Sequence, residues 1–309
     1  MEKSMLSAVV FRQSLIVSVI IGILCRGLVL VMKNKQYPSR PQDYLEQIIS
    51  SGLAASLGAI ALPALLDKEY SALTFFAIAI QQFQGLADQE RITLKNTDND
   101  EMVPKGDTYV EEISSTYETR SYISLFSALF ASVAYITTYE NFSKNFVVCT
   151  VAATIAGVVV GIVFKKYLTR KSIGDIADIV PAELYFEGPL LKIGENVIGN
   201  IGMKATRDIY MEKGMGIRIT PKKAEYFGIL NDAGQRQAIL HNIYIHLGID
   251  KDIDEFDITA STKSDMAENN IVVSFVPMLR DMSELIESAK STPILEISKG
   301  KEGYFKAKV

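Results

Sequence analysis

Hydrophobic residues form long runs in the first part of the chain and short alternating runs in the last part. Runs of about 18 to 20 apolar residues are long enough to cross a bilayer core of about 30 Å. Three runs qualify: LIVSVIIGILCRGLVLVM (Leu15–Met32), SYISLFSALFASVAYITTY (Ser121–Tyr139) and FVVCTVAATIAGVVVGIVF (Phe146–Phe164). A fourth, IISSGLAASLGAIALPALL (Ile48–Leu66), is rich in small residues, which predicts close packing inside a helical bundle.

The number of spans depends on ALTFFAIAI (Ala72–Ile80), which is too short to cross a bilayer unaided and is followed by Gln81 and Gln82. Basic residues next to spans mark the cytoplasmic side of a membrane. They follow both the first and the last run, at Lys33, Lys35, Arg40, Lys165, Lys166, Arg170 and Lys171. Four spans would place these two groups on opposite sides, whereas five would place both in the cytoplasm. We expect four or five spans in the cell membrane and a cytoplasmic C-terminal domain.

The last part of the chain alternates short strand patterns with helical ones. Strands with glycine turns are predicted at Glu183–Gly188, Leu190–Gly194, Asn196–Gly202, Gly216–Thr220, Ile271–Pro277 and Pro293–Ser298. Helices are predicted at Met203–Lys213, Asn231–Leu247 and Met278–Ala289. The sequence therefore predicts a soluble mixed α/β domain over residues 172–309, after an α-helical membrane domain over residues 1–171.

The charge balance differs between these two parts. Up to Lys171 the chain has 16 basic and 15 acidic residues, and after it 16 basic and 21 acidic residues. A mildly acidic domain without a basic stripe is not typical of a protein that binds nucleic acid. We therefore expect protein and membrane lipid, and no nucleic acid, among the partners, and a homo-oligomer is one of the open possibilities.

A polar loop interrupts the membrane domain at about residues 87–120. Asp107 or Thr108 is a suitable N-cap, and Glu111 and Glu112 follow in the first turn, where acidic residues favour the helix dipole. We expect this helix to continue into the span that begins at Ser121.

Several short stretches carry a resemblance to a known family. They are QYPSRPQ (Gln36–Gln42), LPALLDKEYSALTF (Leu62–Phe75), QQF (Gln81–Phe83), ER (Glu90–Arg91), VPKG (Val103–Gly106), YVEEIS (Tyr109–Ser114), IGDIAD (Ile173–Asp178), NIG (Asn200–Gly202) and GQRQAILH (Gly234–His241). In this order they resemble the YIEGIA family, membrane proteins of endospore-forming Firmicutes named for a six-residue motif. Within that motif Glu112 replaces the family's glycine and Ser114 its alanine. The resemblance implies a multi-span membrane protein tied to sporulation and implies no catalytic mechanism or cofactor.

Two histidines, His241 and His246, lie in one predicted helix. Five positions apart, they point in directions about 140° apart and cannot chelate one metal from one face. No HExxH motif is present, and both cysteines, Cys25 and Cys149, lie in apolar runs. We predict no metal site, no cofactor and no catalytic residues, and expect structural roles for the histidines.

Two groups of residues are candidates for function. The first is an interaction surface on the GQRQAILH helix, made of Gln235, Arg236, Gln237 and His241. The second is a membrane-proximal polar site made of Arg26, Gln81, Gln82, Glu90, Arg91, Tyr109, Glu111 and Glu112. A charge within a span usually faces water or a polar partner, or extends to the interface, and Arg26 could do either.

These residues support three hypotheses. The first is a non-enzymatic integral membrane protein of sporulation, a scaffold or regulator that binds a protein partner through its cytoplasmic domain. The alternative is a membrane-associated peptidase or regulator of proteolysis of an unfamiliar type, in which Glu111 and Glu112 would act as acid and base. A transporter or channel is third, although no internal repeat relates the pairs of spans.

Overall fold

The computed structural model describes residues 8–30, 41–66, 70–168, 171–253 and 255–304. The chain forms two compact units. The first comprises Met1–Glu90 and Ser114–Thr169, and the second comprises Arg91–Ile113 and Arg170–Val309. Much of the segment expected to be a polar loop of the membrane domain thus packs with the C-terminal part of the chain.

Five long helices supply the membrane unit. Their bounds are α1 Ala8–Leu30, α2 Pro41–Leu66, α3 Tyr70–Asp98, α4 Asp107–Asn141 and α5 Phe146–Leu168. Four of them contain a segment long and apolar enough to span a membrane: Val9–Gly27, Ile48–Leu66, Ser121–Asn141 and Phe146–Tyr167. The protein is a multi-pass membrane protein, and the prediction that the helix from Asp107 continues into the third span is confirmed.

Two details of the membrane prediction change. The candidate first span is Val9–Gly27, which overlaps the predicted Leu15–Met32. Residues 31–40, with Lys33, Lys35, Arg40 and part of QYPSRPQ, lie outside the described residues, as does Arg170. The short run Ala72–Ile80 is the first part of α3, a helix whose polar second half keeps it out of the four candidate spans. A fifth crossing therefore stays a prediction.

Small residues allow the spans of the first unit to approach closely. A Cβ atom on Gly58 of α2 would lie 2.0 Å from the carbonyl oxygen of Leu125 in α4, so only glycine fits there. The Ser132 hydroxyl of α4 donates to the carbonyl of Ala59 at 3.0 Å. The small residues of α2 do form a packing face, but α4 is the most buried of the four candidate spans, at 56% against 39% for α2.

The second unit contains two antiparallel sheets. The larger has the strand order β1-β5-β7-β6 and the smaller β2-β3-β4. The strands are β1 Ala177–Ala182, β2 Tyr185–Glu187, β3 Leu190–Ile193, β4 Asn196–Asn200, β5 Met215–Pro221, β6 Ser261–Asp265 and β7 Asn270–Phe275. The helices are α6 Ile173–Ile176, α7 Lys204–Lys213, α8 Phe227–Asn231, α9 Ala233–Leu247, α10 Met282–Ser291 and α11 Glu296–Lys299, with a 3₁₀ turn at Ala224–Tyr226.

The mixed α/β prediction is confirmed, although some of its strands differ from the structure. Every residue of β7 is buried, and its apolar run was read correctly as a strand. The strand predicted at Pro293–Ser298 is wrong, because only Pro293 forms a bridge, to Ser172, before α11 begins. The polar edge strand β6 was missed because its sequence, STKSD, has no apolar residue to alternate with the polar ones.

Candidate interaction site around His241

Helix α9, which contains GQRQAILH, begins at a buried carboxylate. Asp232 is its N-cap and accepts a hydrogen bond from the backbone N–H of Gln235 at 3.2 Å. Burial raises the pKa of Asp232, but hydrogen bonds from Lys301 and Ser298 outweigh that effect and hold the pKa below its usual value. The charged cap therefore fixes the start of α9 against the C-terminal residues of the unit.

Gln235 has a structural role in this helix. Its side chain is fully buried, its Nε2 donates to the carbonyl of Pro293 at 3.0 Å, and its Oε1 accepts from the backbone N–H of Leu295 at 2.8 Å. These two bonds satisfy backbone groups of the segment in which a strand was expected. Gln235 is therefore not part of an exposed surface.

The connection between α3 and α4 lies against the next turn of α9. The Asp98 carboxylate holds this connection in shape by accepting from the backbone N–H groups of Lys105 and Gly106. Gly106 has φ +82°, a left-handed conformation that favours glycine. Gln237 then donates from Nε2 to the carbonyl of Pro104 at 2.5 Å.

His241 is the centre of this contact. Its side chain is 1% exposed, and its Nδ1 lies 2.7 Å from the carbonyl oxygen of Val103, a core residue of the second unit. A carbonyl only accepts, so Nδ1 carries the proton and Nε2 is the unprotonated nitrogen. Nε2 is buried and finds no hydrogen-bond partner among the described residues.

Aromatic and charged groups surround the imidazole. The ring of Tyr109 meets it edge to face at 6.3 Å, and the ring of Tyr244 lies at 6.1 Å. Burial lowers the pKa of His241; the bond to Val103 opposes this, the charge of Lys105 adds to it, and Glu101 and Asp98 oppose it. The net effect is a lowered pKa of His241, so the neutral imidazole is the favoured form.

The start of α4 packs on the same helix. Thr108 lies so close to Gly234 that a Cβ atom there would be 2.5 Å from the threonine Oγ1. One turn later, the buried Glu112 accepts from the backbone N–H of Glu296 at 3.1 Å. The glutamate that replaces the motif's glycine therefore contacts the beginning of α11.

Glu111 points elsewhere. Its two carboxylate oxygens meet the guanidinium of Arg91 in a fork, with Nε–Oε2 at 2.7 Å and Nη2–Oε1 at 2.8 Å. Both side chains are partly exposed, so the pair joins the last turns of α3 to the first turns of α4 at the surface of the second unit.

The structure regroups the predicted site residues. Tyr109 and Glu112 of the membrane-proximal group join Gln235, Gln237 and His241 in the second unit, whereas Arg26 is buried in the first unit and donates to Ser121 Oγ at 3.3 Å. Of the remaining members of that group, Arg91 and Glu111 pair with each other, Gln81 and Gln82 are exposed on α3, and Glu90 is half-buried there.

The other predictions for this helix are resolved in part. Arg236 is half-buried, and its buried Nε has no hydrogen-bond partner among the described residues. His246 bonds the carbonyl of Asn242 through Nδ1 at 2.7 Å, a local helix contact. Across the described ranges, no group of three or more histidine, cysteine or acidic residues is placed to hold a metal ion.

Reasoning from the sequence missed Val103, Pro104, Thr108 and Glu296 as contact residues. A signal for two of them was present, because VPKG and GQRQAILH both belong to the stretches that carry the family resemblance. The family model described as "YIEGIA protein" matches residues 14–304. The chain belongs to the YIEGIA family. The separate stretches are therefore parts of one YIEGIA protein, and three of them, VPKG, YVEEIS and GQRQAILH, form the contact around His241.

One relative extends this finding over nearly the whole chain. The protein is 33% identical over 282 residues to "Uncharacterized protein YphB" of Bacillus subtilis (strain 168), and the match covers 91% of this chain and 92% of that one. No solved structure matches this YIEGIA protein.

Proposed function

We propose that this YIEGIA protein is a non-enzymatic integral membrane scaffold or regulator that binds a protein partner through its C-terminal unit. One observation carries the proposal. The α3–α4 connection is built into the C-terminal unit through the bonds from His241 to Val103 and from Gln237 to Pro104. Gln237 and His241, two members of the interaction surface predicted from the sequence, bind the α3–α4 connection to α9.

The path of the chain supports a joint action of the two units. It passes from one unit to the other three times, after Glu90, after Ile113 and after Thr169. A domain that merely trails from the last span would need one passage. A partner bound to the second unit would therefore act on a domain that shares α3 and α4 with the membrane unit.

We place the second unit in the cytoplasm. The support is the pair of basic residues in the last turn of α5, Lys165 and Lys166, because such residues favour the cytoplasmic side. The α3–α4 connection would then lie on that side as well, since it folds with the second unit. Spans α4 and α5 would form a hairpin whose two ends are both cytoplasmic.

We propose a role in sporulation because the chain belongs to the YIEGIA family. The peptidase alternative needs Glu111 and Glu112 as acid and base, and these two carboxylates instead bind Arg91 and the backbone of Glu296. No contact of the described residues favours that alternative over the scaffold.

Quantitative proteomics of sporulating cultures tests the proposal. Four strains are compared with the parent: the deletion, the complemented deletion, a strain carrying Arg236→Ala, and a separate strain carrying Lys204→Ala as the matched surface control. We expect the deletion to lower or delocalise one or a few specific proteins of the membrane fraction, and complementation to restore them.

Two outcomes would count against a scaffold. Proteins that accumulate in the deletion while their transcripts stay level would indicate control of proteolysis instead. An unchanged membrane proteome throughout sporulation would remove the proposed role altogether.

A further inference from the structure

Five large apolar side chains stand out from the second unit near the end of α7. Ile253 and Phe256 are each 81% exposed, Met278 72%, Leu279 62% and Met211 57%. Single exposed apolar residues are ordinary on a protein surface, whereas a group in one place marks an interaction site. The contacts of the backbone around them show that they belong to one place.

The loop after α9 is attached to α7 at both ends. At its start Asp250 binds the ammonium of Lys213 at 2.6 Å, and at its end Ile258 is buried beside Tyr210, whose hydroxyl donates to the carbonyl of Thr259 at 3.1 Å. Ile253 lies between these two attachments, as does Phe256.

A second loop reaches the same end of α7. Arg280 donates from Nη1 to the carbonyl of Glu212 at 2.7 Å, and the backbone N–H of Leu279 donates to the carbonyl of Leu247 at 3.1 Å. The two loops therefore flank the last turn of α7, which carries Met211. We call the five exposed side chains the α7-end patch; they are Met211, Ile253, Phe256, Met278 and Leu279.

The charge around the patch is acidic. Residues 250–257 read DKDIDEFD, with five acidic residues and one lysine. Asp252, Glu255 and Asp257 are exposed in this loop, next to the two most exposed apolar side chains. Lys213 is paired with Asp250 and Arg280 donates to a backbone carbonyl. With Lys251 also counted, the acidic residues of this loop still outnumber the nearby cations.

We propose that the α7-end patch is the docking surface for a protein segment that is both basic and apolar. This inference rests on the proposed function and names the chemistry of its partner. Apolar side chains such as Phe256 would supply the buried centre of the interface, and the acidic rim would select a partner of positive charge and speed its association. An anionic lipid surface or the same patch of a second copy would be repelled by that rim.

Photocrosslinking on the full-length protein in its native membrane tests the inference. Phe256 is replaced by p-benzoylphenylalanine, and Tyr304, an aromatic residue 60% exposed elsewhere on the unit, is replaced in the same way as the control. We expect Phe256 to crosslink to a protein whose modified peptide is rich in lysine or arginine and apolar residues, with a yield that falls as salt rises.

Charge reversal provides the second measurement. In the Phe256 crosslinking background, Asp257→Lys should lower the yield by about fivefold or more, as expected for a residue that contributes to an interface. Glu195→Lys, an exposed reversal in the turn after β3, should leave the yield unchanged. Equal effects of the two reversals would overturn the inference.

The remaining outcomes separate the docking surface from the proposed function. If only Tyr304 crosslinks to a partner protein, the unit has a partner at another surface: the inference falls and the proposed function stands. If Phe256 crosslinks to lipid, to a second copy, or to an acidic peptide, the inference falls as well. If neither position crosslinks to any protein, both the inference and the proposed function fail.

Discussion

The imidazole Nδ1 of His241 lies 2.7 Å from the backbone carbonyl oxygen of Val103, a residue of the short connection between two membrane-unit helices. This bond joins positions 138 residues apart in the chain. Because the imidazole is almost fully buried, the bond forms only when the α3–α4 connection is seated on α9. The hydrogen bond of His241 is therefore present only while the α3–α4 connection is packed against α9.

The stability of the second unit should depend on pH through His241. Its folded pKa is lowered, so on acidification the unfolded state takes up the proton first, near the usual histidine pKa of about 6.5. The free energy of unfolding should therefore fall as pH drops below about 6.5 and level off below the folded pKa. Thermal unfolding of the purified protein between about pH 8 and about pH 5, roughly 1.5 units on either side of the usual histidine pKa, measures this change in stability.

Single variants of the two histidines provide the test and the matched control for this prediction. His246→Gln should keep the pH dependence, whereas His241→Gln should reduce it at the cost of a lower stability at every pH. A pH profile unaffected by His241→Gln would show that other groups cause the acid sensitivity.

Gly106→Ala should weaken the packing of the α3–α4 connection against α9. Glycine adopts φ +82° freely, while a side chain in that conformation costs on the order of 1–3 kcal/mol, and the new Cβ would lie 2.9 Å from Cγ of Gln237. Gly202→Ala, where no atom lies within 4 Å of the new Cβ, is the control and should be close to neutral. Hydrogen exchange of the backbone N–H groups of residues 98–106 should increase in Gly106→Ala alone.

Gln235→Ala should be more damaging than Gln237→Ala. The first change leaves the carbonyl of Pro293 and the N–H of Leu295 buried without their partner, at about 1–3 kcal/mol for each unpaired group. The second removes one half-exposed bond, for which about 0.5–1.5 kcal/mol is expected. Chemical unfolding curves of both variants give the comparison, and equal losses would contradict the assigned roles.

The fork between Arg91 and Glu111 should contribute little to stability. Both side chains are partly exposed, and such pairs are worth about 0.2–1 kcal/mol in double-mutant cycles. We expect Arg91→Ala and Glu111→Ala to be non-additive by that amount, and the coupling to shrink at high salt. A coupling of several kcal/mol would mean that the pair is much less solvated than its exposure indicates.

Replacing both glutamates tests the peptidase alternative. A scaffold should keep its function and abundance in Glu111→Gln with Glu112→Gln, because glutamine still offers a carbonyl oxygen to Glu296. An acid–base mechanism would lose its function while the protein level stays normal. Sporulation efficiency together with immunoblotting of the membrane fraction separates these results.

The sequence by itself determined the features that depend on local patterns. The spans follow from the length of apolar runs such as Phe146–Phe164, and β7 from a continuous apolar stretch. The start of α9 follows from two polar capping residues, Asn231 and Asp232, placed before an apolar helix. Each of these features is set by neighbours within a few turns of chain, so periodicity and composition suffice to predict it.

Only the tertiary structure decided which distant segments meet. Nothing in the spacing of Val103 and His241 places them together, and the sequence assigned them to different domains. The segment Pro293–Ser298 has a strand-like pattern, yet its backbone is bound by the side chains of Gln235 and Glu112 and ends in α11. Hydrogen bonds between residues far apart in the chain overrode the local preference there, and local patterns do not contain that information.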